Sequence, residues 1–257
     1  MVELSTQELE RYDRQIRING WSAEGQTKIK SARVVIAGVG GLGCPSALYL
    51  AAAGVGTLKL IDNGKVELSN LNRQILHTES DIGKFKVDSA KEKLFHVNHY
   101  VNVETSKETI SDSNVDNLVK ECDIIVDAMD NLETRFVLNR LAVRNDIPFV
   151  HGSVEGLHGH MMTIIPRKSP CLYCLYGSIP FKPAKFPVAG PAPAAVASLQ
   201  SMEVLKLITG IGKPATEKLI VIDGTYMEMR EVIVKRNPQC AICGDKRQNM
   251  QISQQRT

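Results

Sequence analysis

The sequence lacks a strong excess of charge of either sign. Its 257 residues carry 31 basic and 28 acidic side chains, which are interspersed, so the formal net charge is only +3. Such a small excess does not indicate a nucleic-acid partner. The chain also has no internal repeat and no linker of the kind that separates two domains. With 43% hydrophobic residues, it can bury a large core as one α/β domain.

Apolar segments that would mark targeting or membrane insertion are missing too. The first 17 residues are too rich in charge for a signal peptide, so we expect a cytoplasmic protein. Residues 34–58 carry no charge and are long enough to span a bilayer, but six glycines and Pro45 interrupt them. A strand, a glycine turn and a helix explain this run better, so we expect no membrane partner.

Short apolar strands alternate with helical patterns in the first part of the chain. The pattern predicts strands at 33–37, 57–61, 101–105, 123–127 and 149–152, and helices at 43–53, 84–98, 113–120 and 131–145. This alternation predicts an α/β fold with a Rossmann-like, doubly wound, mostly parallel sheet. Further strands at 159–165, 218–222 and 227–234 lack crossover helices, which predicts a C-terminal antiparallel extension.

A glycine-rich turn joins the first predicted strand to its helix. It contains Gly38, Gly40, Gly41 and Gly43. Backbone N–H groups in such a turn can approach a phosphate at a helix N-terminus, where the helix dipole favours negative charge. Asp62 ends the next apolar run, where a carboxylate can accept hydrogen bonds from ribose hydroxyls. The pattern predicts a nucleotide site, and on this spacing alone a dinucleotide also fits.

Two CxxC pairs lie in the second half of the chain. They are Cys171 with Cys174 and Cys240 with Cys243. Disulfides are disfavoured in the cytoplasm, and four thiolates in two knuckles suit tetrahedral zinc with no open coordination position. We therefore expect a structural zinc site that pins the C-terminal strands to the rest of the fold. Redox-active or unliganded thiols are the alternatives.

Charged residues occur where predicted strands end or helices begin. Arg73 follows the Asp62 strand, Lys86 opens the next helix, and Asp130 follows the strand at 123–127. Singly, Arg73 fits a solvated loop cation, Lys86 a surface helix residue, and Asp130 the N-cap of helix 131–145. Together they suit polyphosphate chemistry, in which cations neutralise developing charge and a carboxylate holds Mg²⁺. Nicotinamide chemistry does not need this set.

With these features in place, the chain resembles the ThiF/MoeB/HesA family, the bacterial and archaeal relatives of ubiquitin-activating E1 enzymes. The resemblance runs from about Glu10 to Gly244 and rests on residues 11–15, 38–43, 62, 66–74, 83–86 and 127–135 and on both CxxC pairs. It implies an E1-like adenylyltransferase that uses ATP and Mg²⁺. The implied substrate is the C-terminal glycine of a ubiquitin-like sulfur-carrier protein ending in Gly-Gly. A NAD-linked Rossmann oxidoreductase and a non-catalytic E1-like scaffold are the alternatives.

The resemblance also implies roles for individual residues. Asp62 would hold the ribose of ATP, and Asp130 would bind Mg²⁺. Arg14 would act as an arginine finger that reaches in from the partner of a homodimer. The implied catalytic set is Arg14, Arg73, Lys86 and Asp130, and the implied nucleotide ligands are Gly38, Gly40, Gly41, Gly43, Asp62, Asn70, Gln74 and Asn131.

The chain departs from one feature of the resemblance. Thioester-forming relatives carry a cysteine in a crossover loop, which corresponds here to residues 177–193, shortly before an Ala-Gly pair. In this chain Phe186 stands close to that position, and no cysteine occurs between 175 and 239. Our hypothesis is that the enzyme stops at the acyl-adenylate. We expect Cys44 and Cys122 to be packed residues.

The spacing of the histidines does not indicate a second metal site. His151, His158 and His160 lie near a strand edge, where packing or solvent-facing polarity is the expectation. We expect residues 1–257 to form a single E1-like adenylation domain. Its parts are N-terminal helices at 1–30 with breaks near Gly20 and Gly25, a nucleotide-binding half at 31–153, a region of antiparallel strands, zinc knuckles and crossover loop at 154–244, and a polar tail at 245–257.

Overall fold

An eight-stranded mixed sheet runs through the part of the chain that the computed structural model describes, residues 3–177 and 186–245. Its strands are β1 (Arg33–Ala37), β2 (Thr57–Ile61), β3 (Asn102–Ser106), β4 (Ile124–Asp127), β5 (Phe149–Glu155), β6 (His158–Ile164), β7 (Lys218–Asp223) and β8 (Glu228–Ile233). The strand order is β3-β2-β1-β4-β5-β6-β7-β8, with β1 to β5 parallel and β5 to β8 antiparallel. The predicted Rossmann-like sheet with its antiparallel extension is confirmed.

Helices connect the parallel strands and cover both faces of the sheet. They are α1 (Thr6–Arg11), α2 (Asp13–Ile16), α3 (Ser22–Ser31), α4 (Gly43–Ala53), α5 (Lys86–Val97), α6 (Val115–Leu118), α7 (Leu132–Asn145), α8 (Leu172–Tyr176) and α9 (Pro191–Thr209). Among the described residues, no helix is both long and apolar enough to cross a membrane.

The core lies in two layers, one on each face of the sheet. Successive residues of a strand point to opposite faces, so Val34 and Ile36 pack in one layer while Val35 and Ala37 pack in the other. The first layer contains residues of α3, α4, α5 and α9, and the second contains residues of α6, α7 and α8. Strand β1 is therefore apolar on both sides, as is typical of a central parallel strand.

The strand order reverses between β1 and β4. Ala37, the last residue of β1, is in register with Ile61 of β2 on one side and with Asp127 of β4 on the other. The carboxyl ends of these three strands therefore lie at the same level. In doubly wound sheets, ligands bind in the crevice outside this switch point. The fold thus predicts a ligand site at the edge of the sheet formed by the carboxyl ends of β1, β2 and β4.

Several predicted boundaries need correction. The N-terminal helices break between residues 16 and 22, and α3 continues through Gly25. The predicted helix 113–120 is reduced to α6, because Asn114 and Val119, which flank it, leave the helical conformation. The predicted loop 177–193 ends early, because α9 starts at Pro191. Proline is well tolerated in the first helical turn, where its missing N–H is not needed. Residues 178–185 of that loop and 246–257 of the tail lie outside the described residues.

Candidate functional site

The glycine turn after β1 is held by very close backbone approaches. Gly38 has a φ of +94°, and a Cβ there would lie 2.6 Å from the carbonyl oxygen of Ala128. A Cβ on Gly43 would lie 1.9 Å from the carbonyl oxygen of Gly38. Side chains are therefore excluded at both positions, because the turn, the start of α4 and the loop after β4 are in direct contact.

Helix α4 begins at this turn without a side-chain cap from its N-cap residue, Leu42, and its first turn contains no acidic residue. The Cys44 N–H donates to the Gly40 carbonyl at 2.9 Å. The first N–H groups of a helix have no intrahelical partners, and the helix dipole adds partial positive charge at this end. This end of α4 is therefore suited to an anionic group, as the sequence predicted for a phosphate.

Asp62 lies directly beside the glycine turn. Its Oδ2 accepts a hydrogen bond from the Val39 backbone N–H at 2.8 Å, and its Oδ1 accepts one from the Gly64 N–H at 2.7 Å. Each carboxylate oxygen keeps a second lone pair. Asp62 is thus fixed in orientation and can still accept hydrogen bonds from a ligand hydroxyl.

A short 3₁₀ turn, Leu68–Asn70, brings three predicted residues to the same place. Asn70 is buried, and its Oδ1 accepts from the Glu67 N–H at 3.1 Å. The guanidinium of Arg73 donates to the Ser69 carbonyl at 2.9 Å, and its Cγ would lie 3.5 Å from a Cβ on Gly41. Gln74 is buried with its Nε2 3.7 Å from the Cβ position of Gly40.

The Gln74 amide is incompletely satisfied within the described residues. Its Oε1 is buried and has no hydrogen-bond partner there. A buried acceptor without a partner costs free energy, which a donor group on a ligand would recover. The amide of Gln74 therefore fits a place beside a polar ligand.

Lys86 lies close to the Asp62 turn, whereas Arg14 does not. Lys86 is the first residue of α5, and its Nζ would lie 3.4 Å from a Cβ on Gly64, whose N–H binds Asp62. Its ammonium group therefore approaches the Asp62 turn. Arg14 is exposed on α2. No contact within the described residues of this single chain brings Arg14 to the glycine turn.

The loop that follows β4 carries Asp130 and Asn131. Asn131 is the N-cap of α7, because its Oδ1 accepts from the Thr134 N–H at 2.8 Å. The alternative in which Asp130 caps this helix is therefore wrong. Asp130 is exposed, and its Oδ1 accepts from Asn131 Nδ2 at 3.3 Å. Through Ala128, the same loop packs against the glycine turn.

The start of α9 closes a third side of the turn. A Cβ on Gly41 would lie 3.3 Å from Pro193, and one on Gly190 would lie 2.4 Å from the Asn72 carbonyl oxygen. Just before it, the segment around Phe186 pairs with the β5–β6 turn, where the Gly156 N–H donates to the Pro187 carbonyl at 2.6 Å. Phe186 itself is 42% exposed. The described end of the crossover loop thus lies against the nucleotide-binding edge.

The four cysteines of the CxxC pairs form one cluster. Their sulfur atoms all lie within 4.8 Å of one another, with Cys171 and Cys240 3.7 Å apart and Cys174 and Cys243 3.5 Å apart. All four are free thiols. The cluster could hold a metal ion, and it joins α8 to the turn at residues 240–243.

The remaining two cysteines are poor nucleophiles. Cys44 is fully buried, with its Sγ 3.6 Å from His77 Nε2, and burial raises the pKa of its thiol to about 12. Burial likewise raises the pKa of the Cys122 thiol to about 12. Since the thiolate is the reactive form, both are packed residues, as expected from the sequence.

A polar network that the sequence pattern did not predict lies next to the loop that carries Asp130. Asp127, His151, Tyr176 and His160 are joined by hydrogen bonds of 2.6 to 2.9 Å. Exposed His158 and buried His151 agree with the expectation that these histidines face solvent or pack, but the hydrogen bonds that join His151 and His160 to Tyr176 were not predicted. The one sequence signal for this network was Asp127, which is the last residue of β4 and precedes the loop that carries Asp130.

The family model for the ThiF family matches residues 12–242 of this chain. The chain belongs to the ThiF family. It is 37% identical over 248 residues to the molybdopterin-synthase adenylyltransferase of Escherichia coli (strain K12), a match that covers 95% of this chain and 100% of the relative. It is 38% identical over 251 residues to the sulfur carrier protein adenylyltransferase of Thermus thermophilus, covering 93% of this chain and 92% of that relative.

Among solved structures, E. coli MccB with ATP matches this ThiF-family chain with a TM-score of 0.81 and 30% identity, covering 91% of this chain and 74% of MccB. The family, the fold and the enzyme class predicted from the sequence are confirmed: this member of the ThiF family is an E1-like adenylyltransferase. The relatives do not support the NAD-linked oxidoreductase considered above.

Proposed function

We propose that this chain transfers the AMP moiety of ATP to the C-terminal glycine carboxylate of a ubiquitin-like sulfur-carrier protein that ends in Gly-Gly. One observation carries the proposal: the glycine turn, the Asp62 turn, the Asn70–Gln74 segment and the Asp130 loop converge at the switch point between β1 and β4. The names of the relatives, a molybdopterin-synthase adenylyltransferase and a sulfur carrier protein adenylyltransferase, support this substrate class. The single continuous sheet supports one adenylation domain.

The residues present fit ATP. Asp62 is oriented by two backbone N–H groups and keeps free lone pairs for the ribose hydroxyls. The N-terminus of α4, which has no side-chain cap from Leu42, and the glycine turn suit the phosphates. Arg73 lies beside the glycine turn and Lys86 beside the Asp62 turn, and both would neutralise phosphate oxygens. Asn70, Gln74 and Asn131 complete the proposed polar lining.

Asp130 fits a magnesium ligand because it is an exposed carboxylate on a loop that is fixed against the glycine turn. When bound there, Mg²⁺ would neutralise charge on the phosphates. Arg14 is proposed to contribute from the partner subunit of a homodimer. Its exposure and its lack of contacts within the described part of this chain are compatible with that role.

The proposed reaction needs no enzyme nucleophile. A carboxylate oxygen of the carrier attacks the α-phosphorus of ATP, forming an acyl–O–P bond as the bond between the α- and β-phosphates breaks, and pyrophosphate leaves. Positioning of the two reactants and neutralisation of the phosphate oxygens are sufficient for this step. Arg73 and Lys86 are the side chains best placed to stabilise the charge that develops on the leaving pyrophosphate.

We further propose that the reaction stops at the acyl-adenylate, without a thioester to the enzyme. Cys44 is a buried thiol and Cys122 a partly buried one, both have raised pKa values, and the other four cysteines lie in the cluster. Phe186 lies in the described end of the crossover loop, close to the position at which the sequence lacks a thiol. A chain with this distribution of cysteines offers no reactive thiol beside the carrier tail.

The four-cysteine cluster fits structural zinc. With Zn–S bonds of about 2.3 Å, a tetrahedral site places its sulfurs roughly 3.8 Å apart, close to the observed separations of 3.7 and 3.5 Å. Four protein ligands would leave no position for a substrate, so the metal would stabilise the fold. Four free thiols also suit the reducing cytoplasm in which we propose that the protein works.

Carrier-dependent exchange of radiolabelled pyrophosphate into ATP tests the proposal. We expect exchange only when a Gly-Gly-ended carrier is present, and we expect it to be lost in Arg73→Ala and Asp130→Ala. Arg144→Ala and Asp116→Ala are matched controls, because these residues form an exposed ion pair outside the site, 2.5 Å apart, of the kind that contributes little. Full exchange in both site variants would refute the assigned roles.

A further inference from the structure

The structure contains a buried chain of hydrogen bonds that the proposed reaction does not use. His151 Nδ1 lies 2.6 Å from Asp127 Oδ2, and its Nε2 lies 2.9 Å from the Tyr176 hydroxyl. The same hydroxyl lies 2.8 Å from His160 Nε2. Asp127 and His151 are fully buried. We call these four residues the histidine–tyrosine chain.

The chemistry of the end groups fixes the direction of every hydrogen bond. A carboxylate only accepts, so His151 donates from Nδ1 to Asp127. Burial lowers the pKa of His151, which keeps its Nε2 unprotonated, so Nε2 accepts the Tyr176 O–H. Tyr176 then accepts from His160, which donates from Nε2. All three bonds therefore run in one direction, and the Tyr176 hydroxyl is hydrogen-bonded to both histidines.

One end of the histidine–tyrosine chain holds the loop that carries Asp130. Asp127 Oδ1 accepts the Met129 N–H at 3.1 Å, and the guanidinium of Arg135 donates to the Met129 carbonyl at 2.5 Å. Arg135 also lies 3.5 Å from Asp127. Both backbone groups of Met129, the residue before Asp130, are thus anchored to Asp127 and its neighbour.

The other end of the histidine–tyrosine chain belongs to the four-cysteine cluster. Tyr176 is the last residue of α8, which contains Cys174 and follows Cys171. The cluster holds α8 against the turn at residues 240–243. Tyr176 therefore links α8 by a hydrogen bond to His151, and His151 in turn is hydrogen-bonded to Asp127 before the loop that follows β4.

We propose that Tyr176 and His151 are positioning residues, which hold Asp130 in place for Mg²⁺ by linking α8 to the Asp127–Asp130 loop. The inference rests on the proposed function, in which Asp130 is the magnesium ligand. His151 contributes the hydrogen bond that orients Asp127, and Tyr176 contributes the connection to α8. A purely structural role predicts a change in stability alone, whereas a positioning role predicts a change in how strongly ATP binding depends on Mg²⁺.

The test measures ATP binding to the zinc-loaded full chain by calorimetry at a series of Mg²⁺ concentrations. Tyr176→Phe removes only the hydroxyl, and we expect the Mg²⁺ concentration for half-maximal enhancement of ATP binding to rise about three- to tenfold, the usual effect of one lost hydrogen bond. ATP binding without Mg²⁺ should not change. Tyr226→Phe removes a hydroxyl from a residue that is 73% exposed and is the matched control.

Two variants of His151 refine the test. In His151→Asn the side-chain NH₂ takes the place of Nδ1 and can still donate to Asp127, whereas His151→Phe has no donor. We expect the Mg²⁺ requirement of the Asn variant to match that of Tyr176→Phe, and that of the Phe variant to be higher. Asp130→Asn shows separately whether the proposed magnesium ligand is correct. If it loses Mg²⁺ dependence while the Tyr176 and His151 variants keep that of the wild type, the positioning role is refuted. If Asp130→Asn keeps it as well, the proposed site fails and the inference fails with it.

Discussion

The burial of His160 predicts a measurable loss of stability in mild acid. Burial is the largest cause that lowers the pKa of His160 to about 3; the nearby His151 and Arg135 also lower it, while Asp127 opposes them. A histidine in the unfolded chain has a pKa near 6.5. Between these two values the unfolded chain binds a proton that the folded protein does not bind. The free energy of unfolding must therefore fall as the pH falls below about 6.5.

The size of this effect follows from the two pKa values. At pH 7 the unfolded His160 is largely neutral, so its protonation destabilises the fold by only about 0.2 kcal/mol. At pH 5 the same linkage gives about 2 kcal/mol. Glutamine has no titrating group, and its Nε2 can take the place of the imidazole Nε2 as donor to Tyr176. We therefore expect His160→Gln to remove about 2 kcal/mol of the loss between pH 7 and pH 5.

Urea unfolding at pH 7, 6 and 5, followed by the fluorescence of Trp21, checks this prediction. Trp21 is the single tryptophan of the chain and is buried. Any acid effect on the cysteine cluster is present in both proteins, so the difference between wild type and His160→Gln isolates His160. His158→Gln, which replaces an exposed histidine of β6, controls for removal of an imidazole. Equal pH slopes in the wild type and His160→Gln would refute the reasoning.

Three further predictions concern the glycine turn, the cluster and the crossover loop. Gly43→Ala should destabilise the fold by about 3 kcal/mol or more, since its Cβ would clash with backbone. Gly40→Ala should keep the melting temperature of the wild type and lose ATP affinity. Calorimetry that finds the same melting temperature and the same ATP affinity for both variants would contradict this. Metal analysis should find one zinc per chain in the wild type and in Cys122→Ser and little in Cys240→Ser; zinc near zero in reduced wild-type protein would exclude the site. Incubation with ATP and carrier should give no DTT-sensitive adduct on gels, and such an adduct would contradict the proposal for Phe186.

The two strands and the helix nearest the glycine turn have the bounds predicted from the sequence because local signals fix them. Strands β1 and β2 and helix α4 match their predicted residues. Each is a short apolar segment that ends at or next to a glycine or at Asp62, and such signals need no knowledge of the tertiary structure. Helix α6 is shorter than predicted, because the apolar spacing does not reveal that Asn114 and Val119 leave the helical conformation.

The candidate site was predictable for the same reason. Apart from Lys86 at the start of α5 and Arg14 on α2, its residues lie in the connections that follow β1, β2 and β4, and the carboxyl ends of parallel strands must meet at one edge of the sheet. The histidine–tyrosine chain was not predictable in this way. Its members come from β4, β5, β6 and α8, and they meet through the parallel register that pairs Asp127 with His151, the antiparallel register that pairs Ser153 with His160, and the position of α8. Register between strands depends on tertiary contacts that a single sequence does not specify.

The two sides of the switch point are held in physically different ways. On the β1 side, the glycine turn is held by backbone contacts so close that Gly38 and Gly43 exclude any side chain. On the β4 side, the loop that carries Asp130 is held by side chains, mainly Arg135 and Asp127 with its partner His151. Substitutions at Gly38 and Gly43 should therefore affect folding before they affect ligand binding. Substitutions on the second side can leave the fold intact and still move the carboxylate, so under the proposed function this is the side on which we expect variants to change the Mg²⁺ requirement.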